Sequence, residues 1–368
     1  MLLDQTDHLI GRLKEFQRGI RDAIVRRRNE VPLEKLVSVA QTTDSDVKFD
    51  VDVAAERQVV DFCTTWAAED GVCFVLVAEG VSREPGGLER VVFPEGADES
   101  RAQFVLIVDP IDGSRLLMYD KRSAWALSGI APYRPEGCTL ADIVVAVQTE
   151  LHTSKQSLAD TLCATRTSRA ICERIDLATD KVASRFHPTP STARTIDQGF
   201  ATITKFFPGG KELAARIEES LAHRITGPIQ KGRAAIFDDE YISNGGQLYE
   251  LMMGHDRFIA DIRPLVGNWL VRRGLGVPGL CAHPYDMCTE LIARQAGVCI
   301  SQPDGRPLTA PLDTITDVAW AGYANQALKD LIEPHFQELL ANYLIHSVPT
   351  EEPGEHPRTA MGLPERND

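Results

Sequence analysis

The sequence has no C-x-x-C pair, and its eight cysteines, at 63, 73, 138, 163, 172, 281, 288 and 299, nowhere meet histidines at zinc-ligand spacing. That argues against a structural zinc site. Most of the cysteines lie among apolar neighbours, which reads as free core thiols in a reducing compartment. No run approaches the roughly 18 apolar residues of a membrane span. The stretch Met1–Asp7 carries acids where a secretory leader carries bases, and no apolar segment of about ten residues follows, so the expected location is the cytoplasm. No internal repeat is present. Positive charge is also scarce: 39 Lys and Arg stand against 53 Asp and Glu, a net charge of -14. Nucleic acid is a poor partner for such a chain, because phosphate contacts need clustered cations. An acidic protein that handles phosphate must find positive charge elsewhere, and a bound divalent cation supplies it locally.

What is present is ordinary globular material. The chain of 368 residues, 43% hydrophobic and 25% charged, has room for two to three domains or one large α/β unit, and collagenous or wholly disordered classes are excluded. Leu9, Leu13, Phe16, Ile20 and Ile24 recur at helical spacing, so the first thirty residues read as an amphipathic helix ending in Arg26-Arg27-Arg28. A second helix is expected from Val53 to about Trp66. Two short β-branched runs follow, Val72 to Ala78 and Phe104 to Val108, each with an acid at its carboxyl end, Glu79 and Asp109. Further strands at Ala126–Ala131, Ile143–Gln148 and Leu162–Thr165 make a mainly antiparallel sheet. From about Phe186 helices alternate with strands, with expected segments at Lys211–His223, Ala234–Phe237, Gln247–Met253, Arg257–Ile262, Met287–Ala296 and Val298–Ser301. The reading is an α+β unit over residues 1–182, an α/β unit over 183–347 and a disordered tail over 348–368.

The sharpest local signal is Asp109-Pro110-Ile111-Asp112-Gly113-Ser114. Pro110 biases Asp109 away from the helical region, while Gly113 permits a tight turn and a close ligand approach. Two carboxylates are thereby aimed into one small volume, where a hard cation such as Mg²⁺ would relieve their repulsion. The amides of Gly113 and Ser114 open onto Arg115-Leu116-Leu117, an anion site beside the metal if that segment is helical. Asp-Gly alone is more often a capped turn; the whole string after a strand is far more specific. The acids stand at i and i+3, not at the i and i+2 of haloacid-dehalogenase-type phosphatases, which favours water attack over an aspartyl-phosphate.

On these residues the chain resembles the inositol monophosphatase superfamily, the Mg²⁺-dependent, often lithium-sensitive sugar-phosphate phosphatases that include fructose-1,6-bisphosphatases. Its pattern is an upstream acid, a Glu-Glu pair, D-P-[IL]-D-G-[ST], then W-D before a helix. Here Asp52 looks like the upstream acid, Glu79 like the first Glu of the pair, and Tyr285-Asp286 like the W-D step. Asp52 and Asp286 also fit plain helix N-caps. Gly80 stands where the second Glu is usual, Ser114 where Thr is commoner, and Tyr285 where Trp is. The Gly245-Gly246-Gln247 stretch looks like the family's small-residue approach to the second domain.

The resemblance implies a layered α-β-α-β-α sandwich and a phosphomonoesterase acting on a small phosphorylated polyol or sugar through metal-activated water. It implies two or three Mg²⁺ ions held by Glu79, Asp109, Asp112, Asp286 and the Ile111 carbonyl. Gly113 and Ser114 would hold phosphate, with Asp112 and Asp286 also facing substrate, and Asp52, Glu79 and Ser114 would serve catalysis. A homodimer with no nucleic-acid or membrane partner is expected. A fructose-1,6-bisphosphatase-like enzyme, another sugar bisphosphatase, or a non-catalytic sugar-phosphate binder are the alternatives. Lys121, Arg122, Arg257, Arg263, Arg272 and Arg273 are candidates for a second phosphate.

Overall fold

The computed structural model describes residues 5–30, 39–42, 47–81, 89–228, 230–276 and 279–345. The tail assigned to 348–368 lies outside the described residues. Helix α1 (Thr6–Glu30) buries Leu9, Leu13, Phe16, Ile20 and Ile24 on one face, the face its spacing defines. A hairpin of β1 (Val39–Thr42) and β2 (Val47–Phe49) leads into α2 (Asp50–Asp70), so Asp52 sits within the first helical turn. The two helices pack side by side, with Phe16 and Phe62 ring centroids 5.0 Å apart.

The first sheet comprises β3 (Phe74–Ala78), β4 (Arg90–Phe93) and β5 (Phe104–Asp112), then, after the short helix α3 (Ser114–Met118), β6 (Ala124–Pro132), β7 (Val145–Leu151), β8 (Leu158–Thr165), β9 (Ile171–Asp176) and β10 (Lys181–Phe186). Its order is β10-β9-β8-β7-β6-β5-β3-β4. Every neighbouring pair is antiparallel except β3 and β5. That exception positions the site: Ala78 lies opposite Val108, so Glu79 and Asp109 leave parallel neighbours at the same level. Strand β5 runs further than the apolar pattern indicates. It continues to Asp112 through an irregularity between Asp109 and Asp112, opposite Leu127 and Trp125, which fits the extra residue of a bulge around a proline that cannot donate to the ladder. Strand β10 ends the sheet at Phe186, so the boundary read at residue 183 falls inside it.

The second sheet is built from β11 (Gly199–Ile203), α4 (Lys211–Thr226), β12 (Ile236–Phe237), α5 (Asn244–Met252), β13 (Asp256–Asp261), α6 (Arg263–Arg272), α7 (Glu290–Ala296), β14 (Cys299–Ser301), β15 (Trp320–Tyr323) and α8 (Gln326–Leu340), with strand order β12-β11-β13-β15-β14. Helix α7 starts at Glu290 with Thr289 as its cap, three residues later than expected, because residues 285–289 form turns. Asp286 is therefore not an N-cap.

Alternate residues of β5 enter different cores, and this is what stacks the layers. Leu106 and Val108 face Leu13, Phe16, Val59 and Trp66 of α1 and α2. Val105 and Ile107 join the cluster of Leu248, Leu251, Met287 and Ile292. Helices α5 and α7 lie between the sheets, and α4 and α8 cover the far side of the second. The result is the α-β-α-β-α sandwich, and strands buried on both faces explain why their apolar runs lack alternation.

Candidate active site

Asp109 and Asp112 come from the end of β5, and Asp286 from the turns before α7. One carboxylate oxygen from each lies within 4.8 Å of the others. Asp109 is 1% exposed and Asp112 6%; the Asp286 side chain is 14% exposed. Asp109 Oδ1 accepts the Ile111 N–H at 2.9 Å, and Ser114 Oγ donates to the Ile111 carbonyl at 3.0 Å, so the string folds onto itself. Gly113, at φ +96°, starts α3 from the left-handed region, and a Cβ there would lie 3.1 Å from the Ile242 carbonyl.

The second half of the chain completes the cluster. Asp112 Oδ2 accepts from Ser243 Oγ at 2.8 Å and from the Gly245 N–H at 2.5 Å. A Cβ on Gly245 would stand 2.6 Å from Leu127 and 3.0 Å from that same Asp112 oxygen, so only glycine lets the helix close over the carboxylate. The Asp286 carboxylate is fixed by the His283 N–H at 2.6 Å.

Burial, with Glu79, Asp112 and Asp286 around it, pushes the Asp109 carboxyl well above its ordinary value. Burial raises Asp112 to about 6 even though the Gly245 and Ser243 hydrogen bonds and Arg263 work against it. Burial and Asp112 raise Asp286 to about 7. Arg263 is itself neutralised by Asp261, at 2.5 Å. A set of hard oxygen donors held together against its own repulsion fits a divalent cation.

Glu79, Ile111, Gly113 and Ser114 line the same cleft, as do Arg115, Phe206, Phe207, Arg263, Cys281 and Tyr285. Asp52 lies in α2, but its side chain is outside the described residues, so its expected pairing with Ser114 stays a proposal. Of the six basic candidates only Arg263 lines the cleft. Arg122 pairs with Asp239 and Glu250, Arg257 donates to the carbonyls of Thr195, Asp197 and Gln198, and Arg273 stacks on Trp269. Ser243 was missed by sequence reasoning, although it directly precedes Asn244-Gly245-Gly246 and caps α5 through the Gly246 N–H at 2.8 Å. Phe206 and Phe207 were missed too, and nothing local marks them.

No protein-family model matches the chain, and no curated protein matches it by sequence. Solved structures do. Fructose-1,6-bisphosphatase of Leishmania major superposes with a TM-score of 0.63 at 14% identity, over 90% of this chain and 93% of that one. Extragenic suppressor protein suhB of Bartonella henselae gives 0.58 at 14%, over 90% and 99%. An inositol monophosphatase of Zymomonas mobilis gives 0.51 at 14%, over 90% and 98%. The fold is thus that of the inositol monophosphatases and fructose-1,6-bisphosphatases.

Proposed function

We propose that this chain is a Mg²⁺-dependent phosphomonoesterase of the inositol monophosphatase type, acting on a small phosphorylated polyol or sugar. The observation that carries the reading is the buried Asp109, Asp112 and Asp286 cluster, with donor atoms within 4.8 Å, at the base of an open cleft. Its residues would hold the cations together with Glu79 and the Ile111 carbonyl. When bound, such ions neutralise charge on the transferred phosphoryl group and acidify water. Gly113 and Ser114 stand where the phosphate would enter. Ser114 Oγ donates to the Ile111 carbonyl at 3.0 Å, which fixes the hydroxyl at the mouth of the cluster, and with Asp52 it would orient the attacking water. The spacing of Asp109 and Asp112 supports direct attack by water. Free thiols support a reducing, cytoplasmic setting, the net charge of -14 supports binding to neither nucleic acid nor acidic membrane surfaces, and the homodimer is what the resemblance implies. We divide the chain functionally as read from the sequence, the metal residues mainly in 1–182 and the substrate wall completed by 183–347.

A second reading, hydrolysis of a sugar bisphosphate, is favoured by Arg263. Its bonds to Asp261 and to the Leu280 carbonyl at 2.9 Å use three of a guanidinium's five N–H groups. Two remain for a second anionic group in the cleft. Phosphate release in Mg²⁺, screened over inositol, fructose, glycerol and adenosine mono- and bisphosphates, tests both readings. Binding of a sugar phosphate without release from any of them would make the protein a sensor instead.

A further inference from the structure

Tyr285 precedes Asp286, yet its side chain reaches across the cleft to the end of β3. Its hydroxyl lies 3.4 Å from Glu79 Oε1 and 3.1 Å from His283 Nδ1. The two rings stack with centroids 5.3 Å apart and 15° between their planes, so each fixes the other. The His283 backbone is held in turn, its N–H donating to Asp286 Oδ2 at 2.6 Å. Tyr285 as a whole is 6% exposed.

A phenol carries one proton, and a carboxylate only accepts. The proton therefore lies on the line to Glu79, and His283 Nδ1–H donates to the phenol oxygen; the reverse order would set two lone pairs face to face at Glu79. At 3.4 Å the bond is long for O–H···O, so what it supplies is direction more than strength.

Gly80, at φ +76°, turns the chain, and its N–H goes to Glu89 Oε1 at 2.8 Å. It brings no side chain. We propose that Tyr285, with its hydroxyl oriented by His283, is a positioning residue that aims the Glu79 carboxylate into the cluster of Asp109 and Asp286. The inference rests on Glu79 being a metal ligand.

The test is calorimetric titration of Mg²⁺, and separately of Mn²⁺, into the full-length wild type, Tyr285→Phe, Glu79→Gln and the double variant. Tyr285→Phe keeps the ring and is expected to bind about 10- to 100-fold more weakly, the usual cost of losing a group that orients a metal ligand. In the Glu79→Gln background the same substitution is expected to change affinity less than twofold, because the group it aims is gone. Wild-type affinity in Tyr285→Phe, or an equal loss in both backgrounds, overturns the inference while leaving the metal site standing. A wild type that binds neither ion overturns the metal-site reading and this inference with it. Should circular dichroism show Tyr285→Phe unfolded, His283→Phe, which keeps a ring stacked on the phenol and removes the donor to its hydroxyl, carries the same expectation and the same refutation.

Discussion

At the scale of single residues the site is a cluster of like charges forced together. Asp109 has three other carboxylates around it, so removing one charge relieves repulsion as it removes a ligand. Asp109→Asn and Asp112→Asn are expected to abolish Mg²⁺-dependent phosphate release while the metal-free melting temperature stays level or rises. An unchanged rate would refute the assignment, and a melting temperature lowered by many degrees would make the Asp109 bond to the Ile111 N–H a structural turn cap instead. The pH dependence follows with a definite sign. Asp112 titrates at about 6 and Asp286 at about 7 in the folded chain, against roughly 4 in the unfolded one. Between those limits the folded state binds more protons, so these groups make metal-free stability fall as pH rises from about 4 through 7. Below about 4 both states are protonated and the contribution is flat. Melting curves from pH 4 to 8 should show this slope, and Asp286→Asn should make it shallower; an equal or steeper slope in the variant would contradict the account.

At the scale of elements, the site depends on how closely α5 approaches β5 and β6. Gly245→Ala would put a Cβ 2.6 Å from Leu127 and 3.0 Å from Asp112 Oδ2. It is expected to cost about 1–3 kcal/mol in urea unfolding, the usual range for overpacking, and to lower turnover by lifting the Gly245 N–H from Asp112. Gly11→Ala on α1, with nothing within 4 Å, is the control and should leave stability level or raised. If the two variants behave alike, close approach at Gly245 is not what matters. Elements of this kind were legible in the sequence wherever one local signal sufficed. The face of α1 and the runs ending at Glu79 and Asp109 declared themselves, as did the Asp109–Ser114 string, because burial on both sides of a strand leaves an unbroken apolar run. Strand β10 did not: most of its residues are exposed, so Lys181–Phe186 shows no pattern that burial would impose. Nor did the start of α7, where helical spacing from Met287 conceals three residues of turn. The parallel pairing of β3 with β5, and the reach of Ser243 to Asp112, are non-local facts, and no window of sequence contains them.

At the scale of the whole molecule, a cation held by the cluster would make binding and folding one equilibrium. Mg²⁺ at 100 times its dissociation constant would stabilise the fold by about 2.7 kcal/mol. A rise in melting temperature on adding Mg²⁺, reversed by chelation and absent in Asp286→Asn, is therefore expected; a rise of equal size in that variant would place the ion elsewhere. The bond from Ser243 to Asp112 spans 131 residues and carries a further consequence. Translation proceeds at roughly 5–20 residues per second, so Asp109 and Asp112 leave the ribosome on the order of ten seconds before the hydroxyl and the third carboxylate that complete their site. For that interval the nascent first sheet presents its acids without their partners. Ion capture would then wait on the second half of the chain, and a chain halted before Asp286 would lack the third carboxylate of the cluster.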